Sequence, residues 1–265
     1  MIWLAGYLAL GAVAGFFAGL LGVGGGAIMV PVLALMFAAQ GFPEAHLMHL
    51  ALGTSMAAIV FTSISSLRAH HQHGAVQWAI VRTITPGILL GTFAGALLAS
   101  VIATRPLAIF FTVFMSYVAF QMLANIKPKP SRQLPGTAGM FLVGNGIGAI
   151  SALVAIGGGS LSVPFMTWCN VKMHHAIGTS AAIGLPIALA GTLGYLVGGT
   201  GGSDLPSGSF GYIYLPALAA CVAMSMLTAP LGAKAAHKLP VPTLKKIFAG
   251  VILLLLAKMI HGLFF

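Results

Sequence analysis

A chain of 265 residues in which 59% are hydrophobic and only 5% are charged cannot be a soluble domain. The formal charge of +10 would suggest nucleic acid in a soluble protein. Here twelve Lys and Arg stand against two acids, Glu44 and Asp204, and are read as topology signals on one membrane face, so no nucleic-acid partner is expected.

At about 20 residues per crossing, the apolar runs predict helices in this order: roughly 4–22, a short 26–39, 47–67, 79–101 and 106–124. The first is read as a membrane helix and not as a cleaved leader, because no basic region or small-residue cleavage site accompanies it. A basic, histidine-bearing loop is expected from Arg68 to His73. Lys127 to Pro135 is polar and proline-rich and reads as a linker. The second half repeats the order: roughly 137–155, a short 160–171, 175–198, 211–232 and 242–264. The expected units are therefore 1–126, a cytoplasmic linker 127–136, and 137–265. Cys169 and Cys221 lie in apolar runs with no pairing pattern.

Two stretches organise these helices. Gly24, Gly25 and Gly26 precede Pro31, and Gly157, Gly158 and Gly159 precede Pro164, each 133 residues from its counterpart. Glycine weakens a helix and proline removes a backbone donor, so both stretches predict helix breaks inside the membrane. Further matches follow in the same order. Gly53-Thr54-Ser55 matches Gly178-Thr179-Ser180, His49 matches His174, and Pro86 is set opposite Pro216.

A 14-residue helix spans about 21 Å against a hydrocarbon core of about 30 Å, so the short segments cross only with help from extended backbone. If they cross, Arg68, Arg82, Arg132, Lys172 and most other lysines share one face, while Arg105, Lys258, Glu44 and Asp204 take the other. If they only dip, that bias disappears. The positive-inside rule thus favours about ten transmembrane segments, basic loops cytoplasmic and both termini periplasmic. Five helices per repeat make the repeats antiparallel. The expected fold is an all-α polytopic membrane protein of two inverted five-helix repeats, with broken helices at the glycine motifs.

Paired Gly-Gly-Gly-x-x-x-x-Pro and Gly-Thr-Ser motifs, in a duplicated chain of this size, resemble the TauE/SafE sulfite exporter family, also called the 4-toluene sulfonate uptake permease family. The resemblance covers essentially the whole chain. It implies an anion transporter of the bacterial inner membrane for sulfite, sulfonates or related sulfur-containing anions.

Candidate substrate-binding residues follow from the chemistry of oxyanions. Free N–H groups at a broken helix and the positive end of the next helix suit an anion. They nominate Gly24, Gly25, Gly26, Gly157, Gly158, Gly159 and Ser160, with Pro31 and Pro164 as helix-break residues. Gly53, Thr54, Ser55, Gly178, Thr179 and Ser180 add hydroxyls and small residues, although such hydroxyls often bond their own backbone. Asn145 is a further candidate because a buried amide in lipid needs a partner. His49 and His174 are candidate proton or anion relays, against the alternative that they sit at a membrane interface. His70, His71 and His73 read as a solvated tract, so no metal and no cofactor are expected.

The expected function is a secondary transporter exporting a small sulfur-containing anion by alternating access. The alternatives are a proton-coupled uptake permease for another organic anion, or an anion channel. An intramembrane hydrolase is disfavoured because His49 and Ser55 are six residues apart and no Gly-x-Ser-x-Gly elbow exists. The expected partners are a small anionic substrate and the lipid bilayer, with a homo-oligomer left open.

Overall fold

The computed structural model describes residues 2–21, 25–124, 130–201, 204–236 and 241–264. In them the chain forms α1 (Ile2–Leu21), α2 (Gly26–Ala39), α3 (Leu47–Gln72), α4 (Trp78–Val101) and α5 (Thr104–Leu123). Then come α6 (Thr137–Val154), α7 (Gly159–Trp168), α8 (Met173–Gly198), α9 (Leu215–Ala236) and α10 (Val241–Phe264). A 3-10 turn at Glu44–His46 precedes α3. A two-stranded hairpin, β1 (Ser209–Phe210) and β2 (Ile213–Tyr214), precedes α9. Among the described residues, seven helices are long and apolar enough to cross a membrane, and α2 is a shorter apolar helix. The chain is a multi-pass, all-helical membrane protein apart from that hairpin.

Glycine ladders set the packing. Gly11, Gly15 and Gly19 recur every fourth residue on α1, and a side chain there would strike Cys221, Ser225 and Ala229 of α9. Gly87, Gly91 and Gly95 on α4 meet Phe141, Asn145 and Ala149 of α6 in the same way. Numbers rise together in both pairs, so α1 runs parallel to α9 and α4 to α6. In lipid no hydrophobic force joins helices, and small residues let backbones approach for van der Waals contact.

The central pair is α3 and α8. Gly53 lies against Tyr195, Met56 against Gly191 and Ser63 against Gly184, so these helices run antiparallel. In α3, 83% of the most apolar window is buried, against 33% in α1, which marks α3 as the helix the others surround. α5 packs on α10, α2 on α3 and α10, and α7 on α8. Exchanging the first five helices for the last five maps the α1/α9 pair onto α6/α4 and the α3/α8 pair onto itself.

Four sequence expectations change. Arg68 to Gln72 is helical and not a loop, because nothing stops α3 before Gly74, whose φ is +65°. Residues 211–214 belong to the hairpin and its turn, so α9 starts at Leu215. α7 ends at Trp168, before the expected boundary near 171. Asn170 takes a left-handed φ of +65°, and the Val171 N–H closes back on the Met166 carbonyl. Pro216 is not the counterpart of Pro86. The loops leading into α4 and α9 are tethered at Gln77 and Tyr214, an offset of 137 that sets Pro86 opposite Ala223.

Of the linker, residues 130–136 are described and Lys127 and Lys129 are not. The amides of Ser131 and Arg132 both donate to the Trp168 carbonyl at 3.2 Å. The Trp168 indole donates to Ser131 Oγ at 2.8 Å, and the Arg132 guanidinium stands 5.4 Å over its ring. This segment is therefore anchored to the end of α7.

Candidate functional site

Each short helix begins at a left-handed glycine. Gly25 has φ +75° before α2 and Gly158 has φ +81° before α7, a conformation in which a Cβ is strained. Neither cap makes a side-chain hydrogen bond, so the helices start with backbone groups alone. Gly24 lies outside the described residues.

The breaks from the two halves meet. α6 ends at Ala155, a non-glycine residue held at φ +46°, and its carbonyl points onto Gly26, where any side chain would collide with it. Beside this contact is a cavity of about 200 Å³. Its inner wall is Thr62 and Ser63 of α3, Gly157 at the second break, and Ala181 and Gly184 of α8. Gly19 and Ala229, from the α1/α9 ladder, close one side. The cavity runs past Ser65 and Ser66 to exposed Ala69 and half-buried His70 at the C-terminal end of α3. Among the described residues, no Asp, Glu, Lys or Arg lines it. What it offers a solute is hydroxyls, small side chains, the Gly157 backbone just before α7 and, at its mouth, the His70 ring.

The Gly-Thr-Ser motifs occupy equivalent places next to the loops. Gly53 makes room for the Tyr212 carbonyl and Gly178 for the backbone of Ala75. Thr54 Oγ1 accepts the Tyr214 N–H at 2.9 Å, and Thr179 Oγ1 accepts the Gln77 N–H at 3.0 Å. Both threonines are fully buried. The motif thus ties α3 and α8 to the segments leading into α9 and α4. The serines differ. Ser180 Oγ accepts from Ser162 Oγ at 2.7 Å, and Ser162 is itself anchored near Gly158, whereas Ser55 Oγ is buried with no partner among the described residues. Ser162 escaped the sequence reading because Met29 stands at the equivalent position of the first half.

The remaining candidates scatter. Ser160 is half-buried on the first turn of α7. Asn145 is half-buried, and its backbone packs against Gly91 of α4. Pro31 is buried inside α2, and Pro164 is half-buried inside α7. His49 and His174 share a sequence position in their repeats but not an environment. His49 is buried and its Nε2 donates to the carbonyls of Ala99 and Ile102, at 3.1 and 2.9 Å. His174 is exposed and lies against the His175 ring, 3.9 Å between centroids. Neither histidine is among the residues lining the cavity.

A family model described as "Sulfite exporter TauE/SafE" matches residues 7–259. The chain is similar to a "Probable membrane transporter protein" of Haemophilus influenzae, 40% identical over 247 residues, covering 91% of this chain and 92% of the relative. It is also similar to a protein of Bacillus subtilis named "Probable membrane transporter protein YdhB", 26% identical over 70% of this chain and 76% of that one. A "Probable membrane transporter protein" of Xylella fastidiosa is 30% identical over 70% of this chain and 71% of its own. No solved structure matches.

Proposed function

The chain belongs to the sulfite exporter TauE/SafE family, and on that premise we propose that it is a secondary transporter moving a small sulfur-containing anion out of the cell by alternating access. The observation that carries this reading is the meeting of the two helix breaks beside a small cavity lined by hydroxyls and glycines. At about 200 Å³ the cavity falls below the roughly 300–1,000 Å³ of pockets for drug-sized ligands. It suits sulfite or a short organosulfonate. Ser63 and Ser65 donate to sulfonate oxygens, while the Thr62 hydroxyl is held by the Ile59 carbonyl. The Gly158 N–H is taken by the Ile156 carbonyl, so the N–H groups of Gly159 and Ser160 and the dipole at the start of α7 offset the charge. Gly157 forms part of the wall, Gly25, Gly26 and Pro31 hold the first break beside it, and Thr54 and Thr179 hold its frame.

The helix directions support two inverted repeats and ten crossings. In that plan α1 and α9 share a direction, α4 and α6 share the opposite one, and α3 opposes α8. If α2 and α7 only dipped, α3 and α8 would run parallel. The positive-inside rule then puts the C-terminal end of α3 in the cytoplasm, with Arg68, Arg132 and Lys172 on the same side. The cavity is open toward that side, ready to load an anion for export across the bacterial inner membrane. Export of one negative charge gains about 2.3 kcal/mol per 100 mV in a cell negative inside.

Flux measurements in proteoliposomes with sulfite, sulfoacetate, taurine, isethionate, thiosulfate and sulfate test the reading. The expected result is movement of at least one sulfur oxyanion that speeds up when the potential drives the anion outward. Transport of a cation with no sulfur anion moved would overturn it.

A further inference from the structure

The end of α3 away from the cavity is closed by a cluster of ionisable rings. His49 lies about 21 Å from Ser63 along the helix, at 1.5 Å per residue. Its ring is 4.9 Å from that of Tyr212 in the hairpin turn and 6.1 Å from that of His46, which is in turn 5.6 Å from Tyr212. His49 is 3% exposed. With Nε2 committed as a donor to the Ala99 and Ile102 carbonyls, Nδ1 of the neutral ring is a bare acceptor. Among the described residues no donor reaches it, and the Nδ1 atom of His46 is likewise buried without a partner there. The Ala45 carbonyl, four residues before His49 in the chain, accepts the Thr104 hydroxyl at 2.6 Å. A buried lone pair that no donor meets can take up a proton.

From this geometry we infer that His49, with His46 beside it, is a proton-binding site that latches the non-cytoplasmic end of the transporter. The assignment of that end rests on the reading proposed above. With the ring neutral, His49 pins the start of α3 to the end of α4, and Thr104 pins the start of α5 to Ala45. The hairpin lies over both histidines and is held to α3 through Thr54. Protonation at Nδ1 draws on the Ala45 carbonyl, competes with Thr104, and places a buried cation within one ring width of a second basic ring. The latch then loosens, freeing the hairpin and the turn between α4 and α5.

The other groups at this end do not substitute for the histidines. Glu44 on the 3-10 turn and Arg105 on α5 are exposed to solvent. Tyr212 stays neutral because burial pushes its phenol up. The Tyr214 ring packs against Tyr7, Phe37 and Phe42. His174, the sequence counterpart of His49, is exposed, so among the described residues the device is found at one end.

Hydrogen exchange of the full chain in liposomes, with no substrate added, tests the latch. As the external pH falls from about 8 to about 5, through the histidine range, exchange in residues 99–104 and 209–214, corrected throughout for the intrinsic pH dependence of amide exchange, should rise on the order of tenfold. Residues 73–77, at the opposite end, should not respond. His49→Gln keeps an N–H for the Ala99 and Ile102 carbonyls but cannot take the proton, so its profile should be flat. His46→Gln should shift the wild-type transition and not remove it. A pH-independent wild-type profile overturns the inference, and so does a His49→Gln profile that still responds. Because no substrate is present, a responsive latch in a protein that moves no sulfur anion supports the proton site and rejects the transport reading alone.

Discussion

From Gly25 the chain enters a 14-residue α2 whose first six residues, Gly26 to Pro31, are all buried. From Gly158 it enters a 10-residue α7 of which Gly159, Ser162, Met166 and Thr167 are the buried ones. The left-handed glycines match, and so do the closures at the far ends. There Gly41 at φ +74° caps α2 and Asn170 at φ +65° caps α7, one helical turn earlier. The surroundings differ. The first break is wedged against the Ala155 carbonyl. The second borders the cavity through Gly157, is braced by the Ser162–Ser180 hydroxyl pair, and carries the linker on Trp168. The same sequence device is therefore locked against backbone in the first half and borders the cavity in the second.

The largest expected effect separates these roles. Gly26→Ala puts a methyl into the Ala155 backbone, which has nowhere to move, and should cost about 3 kcal/mol or more, as severe overpacking does. Gly158→Ala carries the left-handed penalty of about 1–2 kcal/mol, but its methyl meets the end of the Ile187 side chain, which can turn aside. Thermal melting in detergent should find Gly158→Ala folded and Gly26→Ala severely destabilised. Equal losses would erase the distinction.

Next are the tethers, where the halves should agree. Thr54→Val and Thr179→Val each leave a loop amide, Tyr214 or Gln77, without its acceptor, a loss of about 1–3 kcal/mol. Similar shifts in melting temperature are expected for the two variants. The serines should disagree again. Ser162→Ala gives up its bond to Ser180 and should cost about 1 kcal/mol. Ser55→Ala removes a buried hydroxyl that bonds nothing described, so it should be neutral or mildly stabilising. A clear gain is expected at one place: Ala155→Gly relieves a left-handed alanine and should add up to about 1 kcal/mol in the same melting assay.

Much of this frame is visible in the chain because glycine triplets interrupt runs that otherwise continue for about 20 residues. The Gly-Thr-Ser pairs are equally plain, but their work is not. That Thr54 reaches Tyr214, 160 residues away, depends on how α3 is enclosed. The ladders Gly11-Gly15-Gly19 and Gly87-Gly91-Gly95 were legible as small-residue spacing, and a reading centred on the triplets passes over them. Their partners α9 and α6 become evident only in the packed bundle. Equivalence of position also failed to predict equivalence of setting. His49 is covered by the hairpin and the α4–α5 turn, while His174 projects from the start of α8. The early end of α7 rests on one Asn in a left-handed conformation, a weaker stop signal than the glycine at the end of α2.

The central claim is that the cavity beside the second break holds the transported anion. Ala181 is buried, lines that cavity and takes no part in the motifs or the ladders. Sulfur-anion flux through Ala181→Leu in proteoliposomes, beside wild type at matched incorporation, is the most direct measurement. The account predicts a folded, monodisperse variant whose flux falls to the level of empty liposomes. A folded Ala181→Leu that transports at the wild-type rate would contradict it.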